Sequence, residues 1–282
     1  MFYLFLGFSL ALGLIIGSFI NCLVWRLYKE ESLMGRSHCP KCHSLIAWWN
    51  NIPVISWIFL RGRCRHCHKS ISIQYPLVEF LVGILFALVF IKFYSAGSAY
   101  SDYDFYYWFL SGSKLWWLLV NWLAISALTI VFIFDVRWLL ISLPAILWSA
   151  AGILGLDLIL GYSLWNILFC GLIGAGFFGL QFLLTRGRGI GEGDIWLGGL
   201  MGLIFPDWHL LLAALFISYM LGGATGLIMM AVWGKKLKTK LPLGVFLALG
   251  SIIALFFGQS LINWYLGLLG AKNSWQFHSF LV

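Results

Sequence analysis

Apolar stretches long enough to cross a bilayer recur along the whole chain, and they constrain its fold more than any motif does. A helix needs roughly 20 apolar residues to cross about 30 Å of hydrocarbon. Runs at 2–25, 75–94, 114–134, 138–160, 163–184, 194–205, 209–233 and 242–269 predict an all-α integral membrane protein of about eight transmembrane helices. The runs are continuous and do not alternate, which argues against a β-barrel. With 62% hydrophobic and 10% charged residues, the chain lies far from soluble domains, which carry about 25% charge. The first run has no basic residue ahead of it and no small-residue cleavage pattern behind it, so it reads as a retained span, not a signal peptide.

The basic residues give an orientation. Between the first two spans lie Arg26, Lys29, Arg36, Lys41, Arg61, Arg63, Arg65 and Lys69, and the other alternate connections carry Arg137, Arg186, Arg188, Lys235, Lys236, Lys238 and Lys240. Fifteen of the 18 basic residues thus fall on one side. Loops rich in Lys and Arg stay in the cytoplasm, so both termini are expected outside. Topology accounts for the net charge of +8, and nucleic acid is not an expected partner.

Residues 26–74 are the one long polar segment and contain Cys39-Pro-Lys-Cys42 and Cys64-Arg-His-Cys67. Two Cys-x-x-Cys knuckles at this separation predict a zinc ribbon, because each turn aims two thiolates at one ion. A reducing cytoplasm favours metal over disulfides. Four thiolates leave no position for water, so the Zn2+ is expected to be structural, stapling a loop too small to fold on its own core. His38, His43, His66 and His68 flank the knuckles as alternative ligands or as solvated neighbours. The chain then divides into a first span (1–25), the cytoplasmic four-cysteine zinc-binding insert (26–74), spans two and three (75–134), and spans four to eight (135–282).

Among the ten acidic residues, three sit at span ends. Glu79 lies near the start of span two, Asp135 closes span three, and Asp194 opens span six after Gly191-Glu192-Gly193. Ionisable groups at membrane depth are functional candidates by default. Asp157 and Asp207 are expected in or near outer connections. The orientation puts Asp135 and Asp194 on one side. Two neighbouring carboxylates share a proton near neutrality, so one can deprotonate a water while the other protonates a carbonyl oxygen. Gly191 and Gly193 let the turn approach a partner backbone. The plain alternative is a helix-end carboxylate at each position, turned to the headgroups at Asp135 and held by the helix dipole at Asp194.

At this point the residues resemble the type IV prepilin peptidases over nearly the whole chain. The resemblance rests on Gly17-Ser18-Phe19-Ile20-Asn21 before Arg26-Leu27, on the double knuckle with Trp49-Asn50-Asn51-Ile52-Pro53 inside it, and on Tyr75-Pro76-Leu77-Val78-Glu79 after it. Gly191-Glu192-Gly193-Asp194 and Leu241-Pro242-Leu243-Gly244 with Phe246-Leu247 complete the set. The resemblance implies an aspartic endopeptidase of the inner membrane that removes a short basic leader from prepilins and pseudopilins at the cytoplasmic face. It assigns Asp135 and Asp194 as the catalytic pair. In many members N-methylation with S-adenosylmethionine follows. The chain departs from the family in lacking Ile-Pro-Asp after Asp135 and in having Trp196 where lysine is common. A non-catalytic scaffold of a pilus or secretion assembly is the competing expectation. It would have no need of both aspartates and the glycine turn. A transporter would show broken helices in corresponding positions of two halves, and no such pairing is visible.

Overall fold

The computed structural model describes residues 2–96, 113–233 and 241–269. Asp102, Asp104, Lys272 and the lysines at 235–240 lie outside the described residues. The chain divides into two units, Met1–Ser95 and Ala96–Val282.

In the first unit, α1 (Phe2–Lys29) and α3 (Gln74–Ala96) flank the insert, which holds a 3₁₀ turn at Trp48–Asn51 and the short α2 (Ile55–Phe59). The two long helices run antiparallel, with Gly13 against Gly83 and Gly17 against Glu79. The Asn21 Nδ2 donates to the Tyr75 carbonyl at 3.1 Å. A Cβ on Gly17 would stand 2.7 Å from the Glu79 Cα, so only glycine allows this approach. Small residues four apart let helix backbones touch in this way where lipid offers no hydrophobic drive for helices to associate.

The second unit contains α4 (Ser113–Trp138), α5 (Leu143–Ile159), α6 (Leu164–Thr185), α7 (Glu192–Ile204), α8 (Trp208–Trp233) and α9 (Leu243–Leu268). Helix α4 packs on α5 and α9, α7 packs on α6 and α5, and α8 packs on α9. Leu128, Ile153, Phe178, Leu197, Met201 and Leu247 meet in the shared core. Polar side chains within α4 turn back on their own helix. Asn121, Ser126 and Thr129 donate to the carbonyls four residues earlier at 2.8, 2.8 and 2.7 Å, which satisfies them where lipid offers no partner.

Each of the eight apolar runs forms a helix. Six of them, α1, α3, α4, α6, α8 and α9, are long and apolar enough to cross a membrane. The other two are shorter, with 17 residues in α5 and 13 in α7. At 1.5 Å per residue, α7 is about 20 Å long. It is held against α6 where Gly198 meets the Gly174 carbonyl and Gly202 meets that of Cys170. Among the described residues there are no strands, only two isolated bridges in the insert. Asp157 lies two residues before the end of α5, next to the connection that follows it, and is buried there at 2% exposure. Its Oδ2 has no hydrogen-bond partner among the described residues.

Candidate functional site

The two cysteine pairs fold by the same local rule. In each knuckle the first cysteine N–H donates to the carbonyl five residues on, Cys39 to Ser44 and Cys64 to Lys69, both at 3.0 Å. The residue four after the cysteine donates back, His43 to Cys39 at 2.8 Å and His68 to Cys64 at 3.0 Å. His43 and His68 accordingly take positive φ angles of 56° and 53°. An outer bond closes each loop, Ile46 to Ser37 at 2.8 Å and Ile71 to Gly62 at 2.7 Å. The knuckles are thus a structural repeat 25 residues apart in the sequence, and the four Sγ atoms lie within 4.8 Å of one another.

That sulfur cluster has the composition of a closed tetrahedral metal site, and Zn2+ is the ion that four thiolates suit best. The flanking histidines contribute no atom to it. His38 instead lies 3.6 Å from Glu31 and stacks on His43. The Cys42 thiol is held down to about 6, first by the Ser44 hydroxyl and then by the Ser44 backbone. Cys67 is pushed up to about 11 despite the bond from the Lys69 backbone, by burial and by the neighbouring sulfurs. One ionised thiol opposes the next, and a divalent cation removes that opposition.

In the second unit, α4 and α7 carry the two aspartates. Asp135 sits in the last turn of α4, 6% exposed. Its Oδ2 accepts the Val245 N–H at 3.0 Å. Val245 lies in the first turn of α9, where helix N–H groups lack intrahelical partners and the dipole favours negative charge. A Cβ on Gly244 would come 2.9 Å from the same oxygen. This explains the Leu241-Pro242-Leu243-Gly244 segment: proline starts α9, and glycine admits the carboxylate.

Asp194 lies in the first turn of α7, 8% exposed. Its Oδ2 accepts the Gly191 N–H at 3.0 Å, and the Asp194 N–H donates to the Gly191 carbonyl at 3.1 Å. Ahead of this turn, α6 ends with Arg186 and Gly187 at φ 51° and 70°. The Gly187 N–H reaches the Phe182 carbonyl at 2.9 Å. A Cβ on Gly193 would stand 2.8 Å from the Ile141 side chain, in the connection after α4. Gly193 therefore lets the Asp194 turn close on the segment that follows Asp135, and the two carboxylates are near enough for their charges to interact. Trp196 is 45% exposed, and the Arg137 guanidinium lies 5.1 Å from the centre of the Trp138 ring.

Two contributors have no role in the sequence reading. Val245 donates through its backbone, which no side-chain motif encodes, although the Pro-Leu-Gly signal beside it marks a helix start. Glu79 is bound within its own unit, where its Oε2 accepts the Val54 N–H at 2.7 Å.

Residues 11–93 match the Bacterial Peptidase A24 N-terminal domain. The chain is similar to a prepilin leader peptidase/N-methyltransferase of Legionella pneumophila, at 32% identity over 94% of each chain. Similar matches exist in Stutzerimonas stutzeri, at 29% identity over 92% of each chain, and in Burkholderia pseudomallei strain 1026b, at 32% over 90% of this chain and 85% of the relative. No solved structure matches.

Proposed function

Because the chain belongs to the prepilin leader peptidase/N-methyltransferase family, we propose that it is an intramembrane aspartic endopeptidase that cleaves the basic leader from type IV prepilins and pseudopilins at the cytoplasmic face of the inner membrane. The observation that carries this reading is the buried pair Asp135 and Asp194, each with Oδ2 on a backbone N–H at the start of a helix. One ionised carboxylate takes a proton from water as the water attacks the scissile carbonyl carbon. The protonated partner donates to the carbonyl oxygen, and a proton then passes to the leaving amine. The N–H groups of Val245 and Gly191 orient the carboxylates at no cost of reorganisation during the reaction.

Cys39, Cys42, Cys64 and Cys67 would hold a structural Zn2+, which supplies folding free energy to the insert and takes no part in hydrolysis. N-methylation of the new amino terminus with S-adenosylmethionine is part of the same reading, supported by the relatives' names. Both termini outside is the topology proposed, supported by the basic residues. A reporter that is active only in the cytoplasm, fused after Val282, should stay silent, and a strong signal would reverse the orientation.

The enzymatic reading is tested with a prepilin from the same genome and purified enzyme in lipid. The parent should release a leader cut just before the hydrophobic stem. Asp135→Asn and Asp194→Asn should each slow the reaction by about 10²-fold to 10⁴-fold or more, with metal content and helicity unchanged. A folded variant that cleaves near the parent rate overturns the assignment.

A further inference from the structure

The insert exposes a run of large apolar side chains that zinc binding and proteolysis leave unexplained. Trp48 is 74% exposed, Trp49 51%, Ile55 51%, Ile58 62% and Phe59 83%, all within twelve residues of sequence. In a soluble loop such a patch would be an aggregation hazard. Its position relative to α3 gives it a different setting.

The patch is tied to a transmembrane helix through Val54. This residue has φ 60° and ψ −51°, the geometry of a γ-turn, and the Ile55 N–H bonds back to the Pro53 carbonyl. The conformation is rare and strained for a β-branched residue and persists only where neighbours hold it. Glu79 is that neighbour, accepting the Val54 N–H at 2.7 Å. Glu79 stands five residues into α3, about 7–8 Å along the helix from its first residue. The spanning part of α3, Gln74–Ser95, has 22 residues and is therefore only just long enough to cross a bilayer. A segment hydrogen-bonded to Glu79 consequently reaches the depth of the headgroups or below them.

Charge points the same way. From residue 32 to residue 78 the chain has no Asp or Glu and six basic residues, of which Arg61, Arg63 and Arg65 directly follow the apolar run and are exposed. Tryptophan beside arginine is the composition of a membrane–water interface, where the amphipathic ring sits at headgroup level and the cation meets lipid phosphate. Exposed Ile and Phe do not suit a nucleic-acid surface, which would be more polar.

We infer that Trp48–Phe59, with Arg61, Arg63 and Arg65, is an interfacial anchor seated in an anionic lipid leaflet, pinned at that depth by the bond between Val54 and Glu79. The anchor holds the zinc insert against the membrane surface independently of the catalytic reading.

Photo-crosslinking of the full-length protein tests this in nanodiscs of phosphatidylcholine with phosphatidylglycerol. p-Benzoylphenylalanine is introduced separately at Trp48, Ile58 and Phe59, exposed positions outside the metal site, and at Lys41 as an exposed polar reference. Mass spectrometry should find lipid adducts at the three apolar positions at least several-fold above Lys41. Phosphatidylglycerol should make up a larger share of those adducts than of the bilayer. Lipid adducts no more frequent than at Lys41 overturn the proposal, as do adducts mainly to a second copy of the chain, to a prepilin or to nucleic acid. Metal content, measured on each variant, confirms that the insert is folded.

Discussion

The cysteine knuckles and the aspartate pair solve one electrostatic problem in two ways. Both crowd groups that ionise to negative charge, the first in knuckles closed by backbone hydrogen bonds and the second beside glycine-bearing helix starts. In the insert, four sulfurs lie within 4.8 Å of one another, and their mutual opposition is relieved when a divalent cation takes all four as thiolates. In the helical unit, Asp135 and Asp194 lie against helix N-termini whose partial charge is far below that of a metal ion. In the proposed mechanism that pair is instead relieved by sharing a proton. The first arrangement leaves no group free to react and suits a staple. The second leaves a proton to move and suits hydrolysis.

The sharpest way to break this contrast is to remove the staple. Replacing Cys39, Cys42, Cys64 and Cys67 together by serine should abolish metal binding and unfold the insert, since a structural zinc contributes about 10 kcal/mol or more of folding free energy. Metal analysis should fall from one equivalent per chain to none, with a marked loss of protein yield. A fourfold serine variant with undiminished yield would remove the structural role.

Next in size is Gly244→Val. Even a Cβ at this position would come 2.9 Å from the Asp135 Oδ2, and the larger side chain must displace that carboxylate. Cleavage should fall by about 10²-fold, the scale expected for a displacement of roughly 1 Å at a reacting group. Zinc content should not change. Activity near that of the parent would show that the carboxylate need not sit where the structure holds it.

A smaller and more discriminating effect comes from acid. Metal binding requires deprotonated thiols, and the Cys42 thiol is held down to about 6, first by the Ser44 hydroxyl. Zinc should therefore be fully retained at neutral pH and lost progressively below about pH 6. A chelator at neutral pH should not inhibit cleavage before it strips the metal. Immediate inhibition would place an open metal site in the chemistry and end the distinction between the two regions.

The smallest effect concerns Asp157, whose Oδ2 has no partner among the described residues. Asp157→Asn removes the cost of burying a charge while keeping the shape. Thermal unfolding in detergent should shift upward by a few degrees with cleavage unchanged, consistent with about 1 kcal/mol. A large loss of activity would make Asp157 part of the working site.

Much of this is legible in the sequence because the signals are local or compositional. Runs of apolar residues specify helices in lipid, and all eight expected segments form them. The knuckle spacing specifies a sulfur cluster by itself. Even the shortness of α7 can be read, since Pro206 ends it and glycines begin it. What cannot be read depends on which helices become neighbours. The Val245 N–H reaches Asp135 across 110 residues of sequence, and the closeness of Gly193 to Ile141 follows only once α7 packs beside α5. The burial of Asp157 escapes a sequence reading for a related reason. Its position near the end of an apolar run resembles that of a loop carboxylate, and only the packing of α5 buries it.

If Asp135 and Asp194 act as one unit holding one proton, single and double variants should lose nearly the same amount of activity. Single-turnover cleavage of a prepilin is measured across pH for the parent, Asp135→Asn, Asp194→Asn and the double variant, each shown to be folded and to retain its zinc. The parent should give a bell-shaped profile whose two apparent pKa values belong to the pair. Each single variant should be nearly as slow as the double variant, because either carboxylate alone supplies only one half of a proton exchange that needs both. Losses that add independently, or a single variant that keeps a substantial rate at any pH, would show that the two aspartates do not act as a pair.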